Sequence, residues 1–133
     1  MSDTGTPLAK KLRIKAGQRV ALVHPPQGWT VAGLAGLPER VEQTADTGGW
    51  DVAVAFFRTA AELEEDIPAL VKALPSAGCL WIAWPRRAAG HSSDITDTLL
   101  RELLLPTGVV DVKVAALGED WSGLAFVHRL ANR

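Results

Sequence analysis

Cysteine, net charge and long apolar runs are all scarce in this chain of 133 residues, and each scarcity excludes something. A single cysteine, Cys79, excludes an internal disulfide. It stands in the apolar run Cys79-Leu80-Trp81-Ile82-Ala83-Trp84, where a packed thiol is expected rather than a nucleophile. A formal net charge of −1 gives no field that would draw the chain to nucleic acid or to an anionic membrane. No apolar stretch approaches the ~20 residues needed to span a bilayer. The opening MSDTGTPLAKK has no apolar core of the kind a secretion signal carries. These absences set the expectation of a cytoplasmic protein without nucleic-acid or membrane partners. His24, His91 and His128 are too scattered in sequence to suggest a metal site. No serine stands in a G-x-S-x-G elbow. The sequence therefore assigns no catalytic residue, no metal and no cofactor.

What is present is an alternation of apolar strands and amphipathic helices. Length implies one domain, 1–133, with residues 1–6 as a disordered tail. A helix is expected over about 7–14. Val20-Ala21-Leu22-Val23 reads as a buried strand, apolar at every position as parallel strands tend to be. His24-Pro25-Pro26 stops it, because proline cannot donate to the ladder. Residues 29–37 have room for two helical turns. A weak strand follows over Arg40–Thr44, then a turn at 46–49. Asp51–Phe57 is a second strongly apolar strand. Thr59 and Glu62 form a capping-box pattern, and the helix after them places Leu63, Ile67, Leu70, Val71 and Leu74 on one side, with a kink or restart expected at Pro68. Cys79–Trp84 is the third strongly apolar strand. Asp94 is expected to cap a helix running to about Leu105, ended by Pro106 and Gly108.

The last two segments are a strand of alternating character, Val110-Asp111-Val112-Lys113-Val114, and an apolar one from Trp121 to about Leu130. Gly118-Glu119-Asp120 joins them too tightly for a crossover, so they form an antiparallel hairpin. Asp111 and Lys113 are expected to face water, which makes their strand the edge and inserts the last strand inside it. The link 44–51 is too short for a crossover helix. Strand 52–57 is therefore expected beside 20–23, followed by 79–84, 122–129 and finally 110–116. The fold class is α/β: a three-layer Rossmann-like domain with a mostly parallel sheet of five or six strands.

This order of elements resembles the sheet of S-adenosylmethionine-dependent methyltransferases, in which a parallel Rossmann-like sheet ends in an inserted antiparallel hairpin. The segments GTPLAKKL, IKAGQRVALV, LWIAWPRR, DITDTLLRE, VVDVKV and WSGLAFVHR resemble, nearly end to end, a small and mainly actinobacterial family of domains of unknown function, numbered three thousand and fifty-two. That second resemblance implies a fold and a bacterial cytoplasmic setting, and carries no reaction with it. The methyltransferase resemblance implies a Gly-rich turn after the first strand, where backbone approaches the cofactor. The turn here is His24-Pro25-Pro26-Gln27-Gly28-Trp29, and one glycine among two prolines and a tryptophan does not form a G-x-G cradle. An acidic residue after the second strand would hold the ribose, and Asp46 is near that position but reads equally as part of a turn.

The candidate ligand-binding residues gather at the C-terminal ends of the strands, where open α/β sheets place ligands. Arg86 and Arg87 leave the third strong strand there. Gly90 permits close backbone approach, and His91, Ser92 and Ser93 add donors just before a helix start. Arginine suits phosphate or carboxylate because its planar fork donates two parallel bonds. The plainer reading is that both arginines are solvated or paired, and that Asp94 and Asp97 already satisfy the helix. His24 has two readings, a base or ligand contact at the strand end, or a side chain packed on Pro25 and Trp29. Glu62, Glu64, Glu65 and Asp66 read as a solvated helix face. Trp81 and Trp84 lie an odd number apart and so face opposite sides of the sheet. The functional expectation is a non-catalytic domain that binds a small anionic ligand or a partner. The alternative is a methyltransferase-like enzyme with an altered site.

Overall fold

A computed structural model describes residues 19–24, 40–42, 50–86, 93–117 and 121–129. The helices expected at 7–14 and 29–37, the turn at 46–49, and Asp46, Trp29, Arg87, His91 and Ser92 lie outside the described residues. Six strands are described: β1 (Arg19–Val23), β2 (Arg40–Glu42), β3 (Val52–Phe56), β4 (Cys79–Pro85), β5 (Val109–Ala116) and β6 (Trp121–His128). Among the described residues two α-helices lie between them, α1 (Ala60–Ala73) after β3 and α2 (Asp97–Leu104) after β4.

The strands form one sheet in the order β2-β1-β3-β4-β6-β5. The first three contacts, β2–β1, β1–β3 and β3–β4, are parallel, and β6 runs antiparallel to both β4 and β5. The expected order holds, with β6 inserted between β4 and the edge strand β5.

Side chains alternate between two buried faces, as a period of two requires. One face carries Ala53, Ala55, Phe57, Leu80, Ile82, Leu124 and Phe126. It is covered by Leu63, Ile67 and Leu70 of α1 and by Leu100 and Leu104 of α2. The opposite face carries Val52, Val54, Phe56, Trp81, Ala83, Trp121 and Ala125. Trp81 and Trp84 fall on opposite faces, as their spacing dictates. Among the described residues no polar or charged side chain is buried.

The helix boundaries follow from capping, and two expectations are corrected here. Thr59 caps α1, accepting from the Glu62 N–H at 3.3 Å while its hydroxyl donates to the Glu62 carboxylate at 3.1 Å. Helix α1 runs through Pro68 without interruption. Pro68 and Glu64 are on the exposed side, so the Glu64 carbonyl left without its N–H partner is open to solvent. Asp94 does not cap α2. Thr96 does, accepting from the Leu99 N–H at 3.1 Å. A 3-10 turn, Leu105–Thr107, then closes on Gly108 in the left-handed conformation at φ 101°.

The edge strand brings a third correction. Asp111 and Lys113 are half-buried, while Val112 and Val114 are 41% and 58% exposed. A β-bulge between Asp111 and Lys113 sets the two residues opposite Phe126 and Ala125, on opposite faces of the sheet. Asp111 accepts from Arg101 of α2 at 3.0 Å, and Arg101 also donates to Asp97 at 3.0 Å. The bulge also blunts an otherwise open edge.

Candidate functional site

Strands β1, β3 and β4 are parallel, so their C-terminal ends share one end of the sheet. Four exits meet there: His24 after β1, Phe57-Arg58-Thr59 after β3, Arg86 after β4, and Ser93-Asp94 ahead of α2.

His24 has φ 52°, a left-handed backbone in a residue other than glycine. That conformation costs roughly 1–2 kcal/mol for an L-residue, and histidine visits it more than most. The side chain is tied down. Its Nε2 lies 3.0 Å from Asp66 Oδ2 on α1, and its ring meets Phe57 edge-on at 5.9 Å. The His24 side chain is 61% exposed and that of Asp66 38%, so the contact is a solvent-screened one. His24 therefore packs on Phe57 and bonds to Asp66. In the acidic run, Glu62, Glu64 and Glu65 are exposed as expected, whereas Asp66 has this partner across the sheet end.

Arg58 follows Phe57, whose N–H extends the ladder to the Ala83 carbonyl at 3.0 Å. The Arg58 guanidinium carbon sits 5.0 Å from the centroid of the Trp121 ring, a cation–π contact. Trp121 is itself packed edge-on against Phe56 at 5.0 Å and is 6% exposed. Arg86, the first residue beyond β4, is half-buried.

Ser93 and Asp94 are engaged in the fold. The Ser93 hydroxyl donates to the Arg58 carbonyl at 3.1 Å and accepts from the Ile95 N–H at 3.2 Å. The Asp94 carboxylate accepts from the Ala60 N–H at 2.8 Å. An intramolecular anion thus sits at the N-terminus of α1, where the helix dipole favours negative charge. The start of α2 is served by Thr96 and by Asp97, which accepts from the Thr98 N–H at 3.0 Å. His128, the other histidine among the described residues, is remote from this end. Its Nε2 donates to the Leu74 carbonyl at 2.8 Å, closing the C-terminal end of α1.

The topology at this end, parallel strands followed by an antiparallel insertion, can be set beside solved structures. The ribosomal protein L11 methylase of Lactobacillus delbrueckii subsp. bulgaricus superposes with a TM-score of 0.56 at 17% identity, covering 90% of this chain and 74% of that one. The N-methyltransferase NodS of Bradyrhizobium japonicum WM9 gives 0.59 at 16% identity, covering 88% and 89%. A TehB-like SAM-dependent methyltransferase of Corynebacterium glutamicum gives 0.55 at 10% identity, covering 96% and 92%. The fold is methyltransferase-like. At these identities the likeness is one of fold and carries no activity. No protein-family model matches the chain, and no curated protein matches it by sequence.

The methyltransferase-like sheet thus brings His24, Arg86 and Ser93 of the expected set to one end. Sequence reasoning missed Arg58, Trp121, Asp66 and the destination of Asp94. Their partners are distant along the chain, 42 residues for His24–Asp66 and 34 for Ala60–Asp94. Arg58 alone had a local signal: it stands at a strand's C-terminal end, as Arg86 does.

Proposed function

We propose that this chain is a non-catalytic domain that binds a small anionic ligand at the C-terminal end of a methyltransferase-like sheet. One observation carries the reading. The exit of β1 is left-handed at His24 and bonded to Asp66, and Pro25-Pro26 follow in the sequence. A fixed histidine and two prolines stand where a cofactor-binding turn needs glycines for close backbone approach. In this reading the ligand is met by Arg86 and by Arg87, His91 and Ser92, which follow it in the sequence, with His24 at the rim. Ser93 holds the loop in this reading. The reading includes a cytoplasmic location and membership of the actinobacterial family whose segments are quoted above.

The second reading, an S-adenosylmethionine-dependent enzyme with an altered site, draws support from the same residue. A left-handed backbone at His24 bends the chain sharply without a glycine. Calorimetry with S-adenosylmethionine and S-adenosylhomocysteine separates the two. The expected result is no binding below the millimolar range, while phosphate-bearing ligands raise the melting temperature of the unmodified protein more than that of an Arg86→Ala/Arg87→Ala variant. Micromolar binding of S-adenosylmethionine would overturn the first reading in favour of the second.

A further inference from the structure

We propose that His24 is a proton-linked contact: an oxyanion bound at the C-terminal end of the sheet meets the Nδ1–H of a protonated His24, and its binding takes up a proton from solvent. The inference rests on the anion-binding reading above and adds to it the chemistry of one residue and a dependence on pH. A carboxylate only accepts hydrogen bonds. Asp66 Oδ2 lies 3.0 Å from His24 Nε2, so Nε2 carries the hydrogen and the neutral ring keeps a lone pair at Nδ1. In that form the ring has no second N–H for an anion, and the negative charge of Asp66 stands behind it. A proton added at Nδ1 changes both. The ring becomes a cation that offsets Asp66, and its Nδ1–H donates to an oxyanion while Nε2–H stays on Asp66. The two nitrogens point away from each other across the ring, so one bond does not hinder the other.

The pose of the ring is set by its backbone and two neighbours. The left-handed φ of 52° fixes where the side chain leaves the chain, Phe57 meets the ring edge-on at 5.9 Å, and Asp66 holds Nε2. Residues held in this backbone region cluster at ligand clamps and active sites. With the side chain 61% exposed, a solute in water can reach the ring. Among the described residues Nδ1 has no partner. The other charges on the elements packed against His24 are engaged or turned away. On α1, Glu62 accepts from the Thr59 hydroxyl at 3.1 Å, and Glu65 is exposed. At the exit of β3, Arg58 lies over Trp121, whose cluster is on the opposite face of the sheet from that of Phe57. Asp94 is bonded to the Ala60 N–H. Asp66 is thus the charge that His24 answers to, and it acts as a positioning residue.

The test is calorimetric titration with sulfate and, in a separate arm, acetate, at matched ionic strength against chloride, over the range about pH 5.5–8 in which an imidazole changes charge and these two anions do not. Affinity is expected to fall about tenfold or more from the acid to the alkaline end, and titrations in two buffers of different ionisation enthalpy to read uptake of up to one proton per anion. His24→Asn keeps a residue that tolerates the left-handed backbone; it should bind at the alkaline end as the unmodified protein does and lose most of the gain on acidification. Asp66→Asn removes the charge behind the ring and should bind more tightly than the unmodified protein at the alkaline end, giving a flatter profile. A merely structural role for Asp66 would instead weaken binding at every pH, and that result overturns the inference. His91→Gln should keep the slope. If His91→Gln abolishes the slope and His24→Asn does not, or if affinity in the unmodified protein is independent of pH, the inference fails and the anion reading stands. If the unmodified protein takes up neither anion at any pH, both fall.

Discussion

Replacing Gly123 by alanine tests how tightly the second face of the sheet is packed. Gly123 lies in β6 between Ala83 of β4 and Ala115 of β5. A Cβ built there would stand 2.7 and 2.9 Å from Leu117 Cδ1 and Cγ and 3.1 Å from Trp81 Cε3. Leu117 and Trp81 are both fully buried, so neither has solvent to retreat into. Overpacking of this kind costs about 1–3 kcal/mol. Stiffening of the unfolded chain returns about 0.4–1 kcal/mol. A net loss of about 1–2 kcal/mol follows, or roughly 3–8 °C in melting temperature for a chain of this size. Urea and thermal unfolding of both proteins measure it. The same substitution in a Leu117→Ala background should cost clearly less, because the two Leu117 atoms are gone and only Trp81 Cε3 at 3.1 Å remains, although Leu117→Ala alone costs about 2–5 kcal/mol. A Gly123→Ala variant as stable as the unmodified protein, or an equal penalty in both backgrounds, would refute the packing argument.

Further expectations concern the helices. Pro68→Ala restores an N–H within α1 on its exposed side, and a gain of about 1–2 kcal/mol is expected in chemical unfolding; a loss would mean the proline is needed where it stands. Asp94→Ala removes the acceptor of the Ala60 N–H and should cost about 0.5–2 kcal/mol, with Asp94→Asn recovering part; equal stability of all three proteins would show the contact to be idle. Arg101 is held above its ordinary pKa by its bonds to Asp111 first and Asp97 second. A raised folded-state value contributes stability that is complete below the unfolded value and is lost only as pH climbs through the folded one, which is strongly alkaline here. The stability difference between the protein and Arg101→Ala should therefore stay constant between about pH 6 and 10, and a slope in that window would contradict the assignment.

The order of the sheet was legible because few topologies satisfy the constraints. A link too short for a crossover, a turn too tight for anything but a hairpin, and one strand of mixed character together force β6 inside β5. The caps were legible only in part. Thr59 and Glu62 bond within one turn, so the local pattern sufficed. Asp94 and Thr96 compete for the same role at the start of α2, and the winner is set by a demand from elsewhere, the Ala60 N–H across the sheet end. Residue type alone cannot carry that information. The half-burial of Asp111 was hidden for a similar reason, since its partner is Arg101 on α2. The candidate site was half legible. Position at a strand's C-terminal end marked His24 and Arg86, but the stack of Arg58 on Trp121 joins strands that are neighbours of a neighbour, beyond the reach of spacing rules.

The bonds among Arg58, Ala60, Ser93, Asp94 and Ile95 couple two connections that sequence order keeps apart. Opening either one breaks contacts of the other, so the pair is expected to act as one cooperative unit in hydrogen exchange, with the amides of Ala60 and Ile95 sharing one opening free energy. The chain ordering at this end is accomplished during folding, before any ligand arrives. An anion bound at this end, as proposed above, would lose little affinity to the immobilisation of these segments, and its residence time would be set by the groups it touches and not by the closing of this part of the chain over it.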